Sequence, residues 1–71
     1  MSAPSNAERA YWADEALKAF IARTGTDCED SLPDLLRHLM YWADRAGLSF
    51  AEAMYAARHY YGYDMAMDGE S

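Results

Sequence analysis

The stretch SLPDLLRHLMYWADRAGLSFAE, residues 31–52, decides the architecture of this chain. Ser31-Leu32-Pro33-Asp34 reads as a helix start. A serine oxygen can accept from an orphan backbone N–H, the proline falls in the first turn where its missing N–H costs no intrahelical bond, and the carboxylate complements the helix dipole. Leu32, Leu35, Leu36, Leu39, Ala43 and Ala46 then recur at three- and four-residue spacing, which at about 100° per residue puts them on one stripe. Gly47 stands where a left-handed residue closes a helix, and Ser49-Phe50-Ala51-Glu52 opens the next one with a second capping box. Two helices joined by a short corner therefore occupy these residues.

Working outward, Ser5-Asn6-Ala7-Glu8 is a third S-x-x-E box, so a further helix is expected over residues 6–24, closed by Gly25 with Arg23 in its last turn. Its apolar stripe is Ala10, Ala13, Leu17, Phe20 and Ile21. The helix after Ser49 is expected over residues 50–61, with Phe50, Met54, Ala57 and Tyr61 facing inward and Gly62 as its stop. Residues 64–71 are then expected to be a short acidic tail that frays, although Met65 and Met67 could fold back over the bundle. Helices over 6–24, 32–46 and 50–61 with short connections make one all-α domain, a compact antiparallel three-helix bundle.

A chain of 71 residues buries only roughly 60% of the surface its unfolded form exposes, so the core is small. Twelve acidic residues against six basic ones leave a net charge of −6, which opposes the phosphate neutralisation that drives nucleic-acid affinity. Direct nucleic-acid binding is therefore not expected. Residues 40–62 could be drawn as a helix-turn-helix, but its second helix is not basic enough for a recognition helix. The acidic balance suits a partner with a basic groove, because complementary fields steer encounter. Cys28 is the single cysteine, which excludes an intrachain disulfide and a cysteine-based zinc framework. The first residues lack a secretory pattern and no stretch has the roughly 18 apolar residues a membrane span needs, so a cytoplasmic setting and no membrane are expected.

YWAD occurs twice, at residues 11–14 and 41–44. The segments around the copies share nothing, so the coincidence is compositional rather than a duplication. On the helical wheel both alanines point inward, both tryptophans lie on a flank and both tyrosines face away from the core. Tyr11, Trp12, Tyr41 and Trp42 thus form two aromatic shoulders, of the residue types enriched in interface hot spots. Asp27, Glu29, Asp30 and Asp34 gather in an acidic corner beside the second helix start.

The chemistry-bearing candidates are few. His38 follows Asp34 by one turn, a spacing able to hold a metal or orient an imidazole, yet no second strong ligand pair accompanies it and His59 faces outward. Cys28 sits among carboxylates that oppose thiolate formation. No phosphate loop and no serine with a histidine base is evident. No catalytic residue, metal or cofactor is expected.

Residues 32–64, LPDLLRHLMYWADRAGLSFAEAMYAARHYYGYD, resemble a pattern found in short helical proteins of bacterial plasmids, prophages and genomic islands. The matching elements are the leucines before Trp42-Ala43-Asp44, the Gly47-Leu48-Ser49-Phe50 corner, Ala53, Ala57 and His59-Tyr60. As a class, small acidic proteins of such elements are similar to anti-CRISPR and other counter-defence proteins. The resemblance implies a non-enzymatic inhibitor that occludes a basic, nucleic-acid-binding surface, such as that of a CRISPR effector. The carboxylates at 27, 29, 30 and 34, with the four YWAD rings, supply means for such contact. The alternative is a small structural or regulatory protein that forms a homodimer through its aromatic shoulders.

Overall fold

The computed structural model describes residues 4–68, and the side chains of residues 4–67. Three helices form in chain order, α1 (Asn6–Thr24), α2 (Ser31–Ala46) and α3 (Phe50–Asp68), with a single 3-10 turn, Cys28–Asp30, leading into α2. The chain is an all-α three-helix bundle. Its local signals act as the sequence predicts at four of the helix ends. The Ser5 hydroxyl accepts from the Glu8 N–H at 3.1 Å while the Glu8 carboxylate accepts from the Ser5 N–H at 3.1 Å, a reciprocal box that satisfies two orphan donors. Gly25 closes α1 at φ 73° and Gly47 closes α2 at φ 76°, the left-handed conformation that costs a side-chain-bearing residue energy. Ser49 accepts from the Glu52 N–H at 3.1 Å at the head of α3.

Two expectations are corrected. Ser31 does not cap α2. It lies inside the first turn, only 2% exposed, and its hydroxyl donates to the Cys28 carbonyl at 2.8 Å. The N-cap is Asp30, which makes no side-chain capping bond. The preceding 3-10 turn reaches the helix direction earlier than a loop would, so the serine is pulled inward and Asp34 is released for other partners. The second correction is Gly62, which does not stop α3. The helix runs on to Asp68, so residues 64–68 belong to it rather than to an acidic tail, and residues 69–71 lie outside the described residues. A glycine inside a helix costs only about 1 kcal/mol, and the residues beyond it are tied to α1. Asp64 pairs with Arg9 at 3.7 Å, and the Asn6 side-chain amide donates to the Met65 sulfur at 3.8 Å. Among the described residues no tail frays or folds back: Met65 is half-buried as part of the continuing helix, and Met67 is exposed.

α1 and α2 run antiparallel: the Phe20 ring meets the His38 ring edge-on at 5.1 Å, and nearer the connection Thr26 meets Asp34. The last turns of α3 lie against the first turns of α1, where Asn6, Arg9, Ala10, Tyr61, Asp64 and Met65 enclose a cavity of about 280 Å³. The centre of the bundle is thin. Ala43, 4% exposed, is the one buried apolar residue among those described, with Leu17, Phe20, Ile21, Leu35, Leu36, Phe50 and Met54 half-buried around it. Several residues placed inward by the wheel stay exposed, namely Ala10, Ala13, Leu32, Leu39, Ala46, Ala57 and Tyr61. Three helices cover only part of one another's circumference, and the outer edges of each stripe have nothing to meet. The surface measures 6122 Å² for a chain of 8.0 kDa, where a typical folded monomer of that mass shows about 4,500 Å².

Candidate protein-binding surface

The acidic corner is built on the turn between α1 and α2. Gly25 reverses the chain, and Thr26 donates its hydroxyl to the Asp34 carboxylate at 2.7 Å, tying the end of α1 to the first turns of α2. Arg37, one turn further on, donates to the other Asp34 oxygen. Together with Asp27, Asp30 and Pro33 these residues line a shallow, open hollow of about 570 Å³. Glu29 is exposed beside it on the 3-10 turn. The four carboxylates are thus not equivalent. Asp27, Glu29 and Asp30 stand free of ion pairs among the described residues, while Asp34 is a joint. The Arg37 guanidinium, then the Thr26 hydroxyl, hold its carboxyl below the usual carboxylate range, and Asp34 in turn raises the Arg37 pKa.

Sequence reasoning missed Thr26 and Arg37. A threonine one residue past a helix-closing glycine carries no pattern of its own, and the partner it finds is set by how the two helices meet.

All four rings of the YWAD segments are exposed: Tyr11 by 61%, Trp12 by 52%, Tyr41 by 61% and Trp42 by 60%. The two copies nonetheless sit in different surroundings. Ala43 is buried, whereas Ala13 is exposed, so only one alanine points inward as expected. Asp14 forms a surface ion pair with Lys18 at 2.9 Å, which raises the lysine pKa. Tyr41 lies seven residues beyond Asp34 and four beyond Arg37, on the same outer stripe of α2. It extends the acidic corner by about 10 Å along the helix. Trp42, four residues after His38, lies towards the seam with α1. Tyr11 and Trp12 lie fourteen and thirteen residues before Gly25, about 20 Å along α1 from the corner. The structure therefore brings Asp27, Asp30, Asp34 and Tyr41 into one region and leaves Tyr11 and Trp12 as a separate patch.

His38 and Asp34 are engaged in packing. The His38 Nδ1–H donates to the Asp34 backbone carbonyl at 2.8 Å, because a carbonyl can only accept, and its ring edge rests on Phe20. That bond occupies Nδ1, which also lies 3.7 Å from an Asp34 carboxylate oxygen, and fixes the orientation of the ring. His59 stacks on Tyr55 with ring centres 6.2 Å apart. Cys28 is exposed. Among the described residues, no group of three or more His, Cys, Asp or Glu side chains is placed to hold a metal, and no helix is long and apolar enough to cross a membrane. Comparison of the chain with protein-family models, with curated proteins and with solved structures returns no match.

Proposed function

We propose that this chain is a non-enzymatic protein-binding module that acts by covering a basic surface of another protein. We propose its use as an anti-CRISPR-type inhibitor, encoded by a mobile element and occluding the nucleic-acid-binding surface of a bacterial defence complex. The observation that carries the reading is the pairing of unneutralised carboxylates at Asp27, Glu29 and Asp30 with an exposed aromatic, Tyr41, on a corner held rigid by the Thr26–Asp34–Arg37 bonds. Free carboxylates accept from the forked guanidinium groups with which proteins hold phosphate. An exposed tyrosine adds contact area at low entropic cost. A net charge of −6 steers such a partner in and repels nucleic acid from the same groove. Trp42, Tyr11 and Trp12 supply further anchors for a partner long enough to reach along the bundle. What directs the proposal to a defence complex is the resemblance read from the sequence pattern of residues 32–64 alone.

The test is affinity capture from cells of the natural host, comparing the native chain with the triple variant Asp27→Lys, Glu29→Lys and Asp30→Lys. The proposal expects a nucleic-acid-binding protein to be retained by the native chain, eluted by salt, and lost with the variant while helicity is unchanged. Capture that survives the charge reversal refutes the acidic corner as the contact.

A further inference from the structure

We infer that the outer face of α3 pairs with the same face of a second copy of this chain, giving a two-fold dimer distinct from the acidic contact. Because α3 continues through Gly62, the residues Tyr55, His59, Tyr63 and Met67 recur at intervals of four over its last four turns, with Tyr60 alongside. That spacing is a single ridge of the helix surface. The ridge is out in solvent: Tyr55 is 75% exposed, Tyr60 69%, Tyr63 65% and Met67 69%. Nothing in the fold requires this. The half-buried Phe50, Met54 and Met65 already occupy the opposite side of the helix.

The occupant follows from charge, area and symmetry. On the helical wheel, the face of α3 bounded by Tyr55 and Tyr60 carries one carboxylate, Glu52, and no lysine or arginine, on a chain whose net charge is −6. A basic partner gains little from one carboxylate at the head of the helix, whereas a second copy brings an equally aromatic face. The stated exposures, applied to about 200 Å² per side chain, make about 550 Å² available on each copy, and about 1,100 Å² for a pair. Buried in full, that area reaches the roughly 1,000 Å² a specific contact needs, which puts the dimer at the small, weak end of interfaces. Ridges of four-residue spacing interdigitate at about −50°, and a two-fold axis lets the same ridge serve both copies. The Tyr55–His59 stack holds two of the rings in place before any contact is made. Aromatic anchors fixed in this way lose little freedom on binding.

Sedimentation equilibrium of the full chain over a range of concentrations tests the inference. The native chain should form a dimer that dissociates on dilution and tightens as salt is added, because salt screens the mutual repulsion of two acidic copies. Tyr63→Glu and Tyr55→Glu should each weaken it at least about tenfold, since every substitution enters the interface twice and leaves a buried carboxylate. Tyr11→Glu, an equally exposed tyrosine on α1 outside the ridge, should leave it intact. All three residues compared lie in helices and none is buried, so helicity by circular dichroism should be preserved throughout. A chain that stays monomeric at every concentration overturns the inference. So does a dimer indifferent to the α3 variants, or one lost with Tyr11→Glu. The opposite salt responses separate this contact from capture of a basic partner, which salt weakens, so either can fail alone.

Discussion

Replacing Gly62 by alanine should stabilise the protein, although the same change at a helix-closing glycine destabilises it. Gly62 lies inside α3, and a Cβ built there meets no atom within 4 Å. The substitution therefore brings no clash, and it recovers the difference in helix propensity between the two residues, about 0.8–1.0 kcal/mol. Part of that gain comes from the unfolded chain, whose freedom the alanine reduces. For a domain of this size, 1 kcal/mol corresponds to a rise in Tm of about 4–8 °C. Gly25→Ala is the matched control. At φ 73° an alanine is strained however much space surrounds it, and the loss should be about 1–2 kcal/mol, so its Tm should fall. Thermal melts of both variants and the native chain by circular dichroism, at one fixed concentration because association shifts Tm, decide the matter. A fall in Tm for Gly62→Ala comparable to that of Gly25→Ala would mean that residue 62 is left-handed and that α3 ends there. The Arg9–Asp64 tie and the ridge through Tyr63 and Met67 would then lose their basis.

Other outcomes follow from the same structure. Ser5→Ala removes one half of the reciprocal box and should cost about 1 kcal/mol in urea unfolding, within a range of roughly 0.5–2. Ala43→Leu places a larger side chain at the most enclosed apolar position and should destabilise by about 1–3 kcal/mol, whereas Ala53→Leu on an exposed position of α3 should be near neutral in the same unfolding curves. Asp34 gives a pH dependence whose sign is set by its depressed pKa: folding holds the proton less tightly than the unfolded chain does. Its contribution is complete above the ordinary carboxylate value of about 3.9 and is lost as pH falls through the lower folded value. An acid titration followed by circular dichroism should therefore be less steep below that value for Asp34→Asn than for the native chain, and an unchanged profile would show that the Thr26 and Arg37 bonds do not persist in solution.

What the sequence made legible was whatever depends on neighbours within one turn. The Ser5 box, the left-handed Gly25 and Gly47, and the Ser49 cap are local satisfactions of backbone groups, and each is where its pattern puts it. The readings that failed depend on chemistry supplied from elsewhere. Gly62 resembles a stop until Arg9 and Asn6 of α1 hold the turns beyond it. Ser31 resembles a cap until the 3-10 turn draws it inward. The wheel sorts residues by direction but not by whether anything lies in that direction, so Leu32, Leu39 and Tyr61 were assigned to a core that three helices cannot extend to them. The candidate site divides in the same way. Its carboxylates and rings were readable as exposed residue types, whereas the Thr26 hydroxyl that makes Asp34 a joint, the separation of Tyr11 and Trp12 from the corner, and the continuous ridge of α3 required the helices in place.

The account rests on rings that remain in solvent in the single chain and so are available for contact. Acrylamide quenching of tryptophan emission, in dilute solutions of Trp12→Phe and Trp42→Phe so that one indole reports at a time, tests this most directly. Exposures of 52% for Trp12 and 60% for Trp42 predict ready quenching of each indole, approaching that of a short unstructured peptide, while the helices stay intact. Blue-shifted emission that resists the quencher at both positions would place the indoles inside the bundle, and contradict the claim that this chain works through an outward aromatic and acidic surface.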